Sequence, residues 1–352
     1  MPALSYPVTR SVDSRTAARS EVVLIYNGNA GSSTHGTNPL ASLLPTPSPE
    51  ETPGEPDWIV EARDFLRAET GSDPVIVATK SEEEAIETLR DAAQRNVPLV
   101  IAAGGDGTLR SAANVLTGTE TVLGILPKGT VNVFARELSI PLDDSLGALR
   151  IALHGRTRRV DVGCVRVPSN SEGQYFLLMA SLGFDATAVD NVNLDVKETM
   201  GAGAYVLAGL STLANFVPPS VTLTVHGSDK MSGVPITRTS DAFAILIANT
   251  TLYGGDFRAA PDALLDDGLF DIFVFDAAPG LPAPLQRANF AKQFGLAALG
   301  QHLSDPHVHY ITASHLEITC EPATALQVDG DPFGVQSSFS VEVLPKALAV
   351  RG

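Results

Sequence analysis

The stretch Val100-Ile-Ala-Ala103 runs directly into Gly104-Gly105-Asp106-Gly107-Thr108, and the residues from Thr108 to Leu116 then carry apolar side chains at helical spacing. An apolar strand that stops on paired glycines and restarts as a helix is the junction of a parallel, helix-covered sheet. Glycine there lets the backbone approach a neighbour or ligand closely and take up positive φ. The free N–H groups and dipole of the following helix favour an anion, phosphate above all. Asp106 would repel a bare anion. It reads either as the residue that orders Mg2+ or a metal-bound water beside phosphates, or as a plain turn cap.

Two more strand ends repeat the pattern. Ile125-Leu-Pro-Lys-Gly-Thr-Val-Asn132 joins a strand to a helix and puts Gly129 and Thr130 where a second phosphate or a ribose contact would form. Glu21-Val-Val-Leu-Ile-Tyr26 reads as the first strand and ends on Asn27-Gly28-Asn29-Ala30-Gly31, a polar loop suited to nucleotide contact. Ligands of open parallel sheets collect beyond the carboxyl ends of strands, so three such ends weigh more than one. Neither GxxxxGK[ST] nor GxGxxG occurs.

Around these junctions the first half alternates strands and helices. Asp57–Glu69 predicts a helix with Trp58, Ala62, Phe65 and Leu66 toward the core, and Pro74–Thr79 a second strand. A helix follows from Ser81 to about Arg95, opened by a capping box between Ser81 and Glu84, with Glu82-Glu83-Glu84 complementing the dipole. Pro98–Ala103 and Thr121–Leu126 are strands three and four. The insertion from Ser32 to Pro56 holds six prolines and cannot pack a core, so a mobile loop is expected.

Beyond Thr157 short β-rich runs dominate: Arg159–Val167, Tyr175–Ser181, Ser220–His226, Ala242–Ala248, Leu269–Phe275, Tyr310–Cys320 and Ala325–Val328. That spacing fits a mainly antiparallel sandwich, interrupted by helical stretches at Thr187–Val217 and Pro284–Leu303. Residues 1–19 then form a tail, 20–157 an α/β nucleotide-binding domain with the loop 32–56, and 158–334 a β-rich substrate domain. Residues 335–352 are expected to return to the first domain.

Composition supports this division. A chain of 352 residues with 44% hydrophobic and 18% charged residues can bury two cores. Its net charge of −16 speaks against a nucleic-acid partner. Cys164 and Cys320 lie far apart and read as core thiols. Met200–Val217 is 18 residues of mostly apolar sequence, but its glycines and the following Pro218-Pro219 favour a buried or lipid-facing helix over a membrane span. His307 and His309 alternate near His302 and His315, a spacing that would present two rings to a metal. No carboxylate or cysteine pattern completes such a set, so solvent-facing histidines are expected.

From Glu21 to Val350 the chain resembles the diacylglycerol kinase catalytic-domain family, the bacterial lipid kinases related to sphingosine kinases. The resemblance rests on Asn27, Thr79, Gly104–Thr108, Leu126–Asn132, Val160–Gly163, Ser181–Phe184 and Gly201–Tyr205. It continues through Gly254-Gly255, Pro261–Ala263, Asp267–Leu269 and Val328–Asp331, in that order. It implies an α/β fold: an N-terminal three-layer αβα domain like those of NAD kinases and diacylglycerol kinases, then a β-sandwich.

Asn27, Thr79, Gly104, Gly105, Gly107, Thr108, Gly129, Thr130 and Asn132 then fall on ATP-binding positions, and Asp106 on an acidic residue tied to magnesium. Asp267 matches a second-domain magnesium site, and Asp331 the base that deprotonates a lipid hydroxyl. Asp331 stands where the family commonly has Glu, and Val133 where several bacterial relatives have Asp. The resemblance implies a cytoplasmic ATP- and Mg2+-dependent kinase of phospholipid metabolism, visiting the membrane surface for a lipid alcohol, diacylglycerol-like or sphingoid. A homodimer stays open. NAD kinase, which shares the Gly-Gly-Asp-Gly turn, and a degenerate nucleotide-binding protein are the alternatives.

Overall fold

A computed structural model describes residues 21–28, 55–190, 212–226, 235–255, 258–298 and 300–352. The expected tail, nearly all of the Pro-rich loop and residues 191–211 of the expected helix Thr187–Val217 lie outside them. Among the described residues no helix is long and apolar enough to cross a membrane.

The first half is a parallel sheet of β1 (Val22–Asn27), β2 (Val75–Thr79), β3 (Leu99–Gly104) and β4 (Val122–Pro127) in the order β2-β1-β3-β4. Its helices are α1 (Asp57–Thr70), α2 (Glu82–Gln94), α3 (Asp106–Leu116), the short α4 (Val133–Glu137) and α5 (Ser145–His154). Helix α1 packs with α5, and α2 with α3, giving three layers. β3 is buried from Leu99 to Ala103, as a central strand covered on both faces must be. In α1 the core face is Ile59, Ala62 and Leu66, while Trp58 and Phe65 are only partly buried. Trp58 turns its edge to Tyr26 with Lys128 above the ring. Ser81 caps α2 by accepting from the Glu84 amide at 3.3 Å, and Glu84 accepts from the Lys80 amide at 2.7 Å, so the box closes one residue earlier than the sequence suggests.

The second half is antiparallel. β5 (Thr157–Val167) pairs with β6 (Asn170–Phe176). β7 (Met179–Gly183) leads into α6 (Phe184–Asp190) and is followed by β8 (Ser220–His226), β9 (Ile236–Ala248) and β10 (Phe270–Asp276). After α7 (Ala283–Ala298) come β11 (Val308–Ala313), β12 (His315–Val328) and β13 (Asp331–Arg351). Both β9 and β12 pair with β7 near one end and β8 near the other, and a β12 register shift between Thr319 and Thr324 marks the bend. These strands enclose a core that includes Phe176, Leu223, Ile245, Phe270, Ile318 and Val341.

Two expected strands are split. Tyr175–Ser181 breaks at Leu177 and Leu178 because the Asp329 carboxylate takes their amides at 2.9 and 2.8 Å, so these residues leave the ladder. Tyr310–Cys320 breaks at Ser314, whose carbonyl accepts the Val343 amide at 2.8 Å. The longest strand, β13, pairs with β12, then β5, and at Val350 runs parallel to β4 opposite Leu123, tying the two halves into one continuous sheet.

Candidate functional site

The two glycine turns are pressed together. A Cβ on Gly129 would lie 2.5 Å from Gly105 Cα, and one on Gly104 would lie 2.2 Å from Thr108 Oγ1. Neither fits without moving backbone or a packed side chain. Gly104, Gly105, Gly107 and Gly129 are not in the positive-φ region; Gly104, Gly105 and Gly129 serve close approach and not the left-handed turn that the sequence suggests, while Gly107 has open space at its Cβ position. Asn132 takes that conformation instead, at φ 54°, and its amide closes a loop on Gly129: Gly129 N–H donates to Oδ1 at 2.9 Å and Nδ2 donates to the Gly129 carbonyl at 2.7 Å. Gly104 accepts from the Lys128 amide at 3.0 Å. Asp106 completes the clamp. Its two oxygens accept the amides of Val133 and Phe134, both at 3.0 Å, at the start of α4. Asp106 begins α3 and caps α4.

An open cleft of about 220 Å³ lies at the carboxyl ends of β1 and β2 and the start of α3, lined in part by Asn27, Thr79, Gly107, Thr108, Arg110 and Glu82. With the strand order β2-β1-β3-β4 this is the switch point of the sheet, where such folds hold ligands. The buried Thr79 donates its hydroxyl to the Tyr26 carbonyl at 3.1 Å, and its own carbonyl accepts the Gly28 amide at 2.8 Å, fixing the Asn27 loop. Thr130 is exposed on the second turn, outside the cleft lining.

The hairpin between β12 and β13 carries Asp329 and Asp331. Asp329, at φ 50°, accepts the amides of Leu177, Leu178 and Met179 at 2.8–3.0 Å and donates its own to the Met179 carbonyl. Burial pushes its carboxyl up to about 6, against those three amides and Arg110. Asp331 points the other way and its side chain is 56% exposed. Arg110, on α3, reaches it at 2.6 Å and also donates to the Val328 carbonyl at 3.1 Å. Behind the hairpin, buried Gln327 donates to Ser181 at 2.8 Å and Asp185 at 3.3 Å, while Gly330 N–H donates to its Oε1 at 2.7 Å. Tyr253 donates to Asp185 at 2.6 Å.

Asp267 lies elsewhere, exposed on the loop before β10, accepting the Leu269 amide at 3.0 Å. The adjoining Gly268 donates to fully buried Asp161 at 2.7 Å, and Lys346 N–H donates to the same carboxylate at 2.6 Å. Burial raises the Asp161 pKa, opposed by those two amides, with the charges of Asp267 and Asp266 adding to the rise.

Asn27, Thr79, Gly107 and Thr108 therefore meet at one cleft, Gly104, Gly105, Gly129 and Asn132 form its rigid backing, and Asp331 joins through Arg110. Asp267 stands apart from these contacts. Arg110 escaped the sequence reading, since an Arg on an amphipathic helix looks solvated. Glu82 was read as a dipole partner, yet it lines the cleft and accepts the Ser111 hydroxyl at 2.7 Å. Asn114 on α3 bonds both backbone groups of Tyr175, and Glu137 on α4 accepts from Thr251 and Leu252, so both helices are fastened to the β-rich half. Only the i+4 rows of α3 hint at this: Arg110 and Asn114 share one face.

A profile of the diacylglycerol kinase catalytic domain matches residues 56–165, and one of the YegS C-terminal NAD kinase beta sandwich-like domain matches residues 179–352. A diacylglycerol kinase of Bacillus subtilis (strain 168) is 31% identical over 260 residues, 73% of this chain and 79% of that protein. A Klebsiella pneumoniae (strain 342) protein described as "Probable lipid kinase YegS-like" is 30% identical over 83% of this chain and 90% of its own length. The crystal structure of a diacylglycerol kinase from Bacillus anthracis str. Sterne shares the fold, with a TM-score of 0.60 at 20% identity, covering 94% of this chain and 96% of that one. Matched at both domains and along most of its length, this chain belongs to the diacylglycerol kinase family of lipid kinases.

Proposed function

We propose that this lipid kinase transfers the γ-phosphoryl group of ATP to the hydroxyl of a diacylglycerol-like lipid. The observation that carries the reading is the Arg110–Asp331 ion pair at 2.6 Å, which joins the helix of the glycine turn to a carboxylate on the β-rich half. Phosphoryl transfer needs a held nucleotide, neutralised charge and a base at the attacking oxygen, and little else from the protein. Asn27, Thr79, Gly107 and Thr108 would hold the nucleotide, with the Gly105–Gly129 contact keeping that wall rigid. Asp331 would take the proton from the lipid hydroxyl as the P–O bond forms. Arg110, already at its carboxylate, would face the transferring phosphoryl oxygens and steady Asp331.

Mg2+ would neutralise charge between the phosphates when bound. Hard carboxylate oxygens suit it: Glu82 borders the cleft, and each oxygen of Asp106 keeps a lone pair beyond the amide it accepts, enough to hold a metal-bound water. Asp267, beside Asp266, is the proposed ligand of a second magnesium between the halves. For the acyl chains, the clustered rings of Phe184, Phe216, Phe243, Phe290 and Phe294, with Val217 70% and Phe294 41% exposed at its edge, offer an apolar surface on the β-rich half.

Radiolabelled ATP offered with diacylglycerol, a sphingoid base, ceramide or NAD tests the reading. Label in phosphatidic acid, lost with Asp331→Ala and with Asp106→Ala, is the expected result. Label in NAD and in no lipid would overturn it, and full activity of Asp331→Ala would remove that residue as the base.

A further inference from the structure

The pairing register sets a polar row across three strands of the β-rich half. His226 on β8 stands directly opposite His315 on β12, and His315 stands opposite Glu342 on β13. Glu317, two residues further along β12, shares the face, because the alternate residues Leu316 and Ile318 point into the core. The two imidazole rings are 5.2 Å apart at 72°, and the Nε2 atoms of both lie 3.9 Å from Glu317 Oε1. One ligand atom from each of the three side chains falls within 4.8 Å of the others.

We propose that His226, His315 and Glu317 bind a divalent transition-metal ion of the zinc class on the outer face of this sheet. Tetrahedral Zn2+ with bonds of 2.0–2.1 Å places its ligand atoms about 3.3 Å apart. Side-chain rotation alone closes the remaining gap, since all three groups sit on rigid strands and are partly open to solvent. Two observations point to a ligand beyond mere clustering. His226 Nε2 is shielded and has no hydrogen-bond partner. Glu342 Oε2 faces Nδ1, the far ring nitrogen of His315, at 4.0 Å, while its other oxygen pairs with Arg166 at 2.5 Å. A carboxylate behind a histidine is the arrangement that orients a metal-binding imidazole. Two imidazoles and one carboxylate suit Zn2+, Ni2+ or Cu2+ over Mg2+ or Ca2+, and the exposed side leaves a fourth position to water.

His307 and His309 are placed differently: His307, in the turn before β11, faces Asp305, which Lys292 already pairs, and His309, on β11, faces Asp276, which Arg238 pairs. Bound metal would fasten β8 to β12, the strand whose far end turns into the Asp331 hairpin, and so acts on stability and not on the chemical step.

Metal-free, untagged full-length protein titrated with ZnCl2 in ATP-free buffer tests the site. The expected result is one Zn2+ per chain at micromolar concentration, a rise in Tm, no competition from millimolar Mg2+, and a tetrahedral visible spectrum with Co2+. Glu342→Gln is expected to weaken binding about 10- to 100-fold, and His226→Ala with His315→Ala to abolish stoichiometric binding. Absence of Zn2+ binding by the wild type, or one-to-one binding with an unchanged Co2+ spectrum in the double variant, overturns the proposal. Should the double variant fail to fold, Glu317→Gln gives the same reading: an unaltered affinity and spectrum would count against the site.

Discussion

The glycine turns, which give Gly107 and Thr108 to the cleft, and the acidic hairpin, which is tied to it through Arg110, are held in different ways. The turns are held by contacts within the first half: Asn132 bonds Gly129 three residues away, and Asp106 takes amides 27 and 28 residues away. The hairpin is held by contacts across the whole chain. Arg110 reaches Val328 over 218 residues, and Asp329 takes amides 150 to 152 residues away. The wall proposed to hold the nucleotide is built from two turns of the first half. The proposed base, Asp331, meets Arg110 only once both halves have docked.

The comparison breaks first at Asp331. Asp331→Asn is expected to lower kcat about 10²- to 10⁴-fold, the usual worth of a positioned base, with KM for ATP little changed. Steady-state kinetics check this, and a rise in ATP KM at constant kcat would place Asp331 on the nucleotide side instead.

Asp329 comes next. Its carboxyl, near 6 when folded against 3.8 in free solution, holds its proton more tightly in the native state. Its contribution to stability is therefore complete below about pH 4 and is lost as pH rises through 6, by up to about 3 kcal/mol. Denaturant unfolding of wild type and Asp329→Asn from pH 4 to 7.5 is expected to show that slope only in the wild type. A constant difference between them would mean that the three amides cancel the effect of burial, and a slope of opposite sign that they outweigh it.

Gly129→Ala tests the local wall. Its methyl has no room against Gly105, so a cost of about 1–3 kcal/mol is expected. The loss should fall mainly on ATP affinity, measured by calorimetry, with the β-rich half unchanged in its unfolding. The smallest effect belongs to Glu137→Gln, which weakens the acceptor for Thr251 and Leu252 and should cost about 0.5–1.5 kcal/mol in unfolding experiments.

Much of the first half was legible because its elements obey short-range rules. Apolar runs give β1 to β4, Ser81 with Glu84 starts α2, and glycines mark the turns. Less of the second half was legible. Tyr175–Ser181 looks like one strand, and only Asp329, far away in sequence, explains why Leu177 and Leu178 leave the ladder. The 21 residues of β13 carry no single alternating pattern, because the strand pairs successively with β12, β5 and β4. Arg110 and Glu82 were hidden for a related reason: a charged side chain on a helix looks solvated until the surface it meets is known.

By itself the sequence determined the parallel sheet, its glycine turns and the family resemblance, since strand, turn and helix preferences act over a few residues. Only the tertiary structure decided where the carboxylates go. Asp106 turned from the open anion site toward the amides of α4, Asp329 was buried as a backbone clamp, and Asp331 was left exposed beside Arg110. The partners of a carboxylate are amides and cations brought from distant strands, and the cost of burying it depends on all of them together.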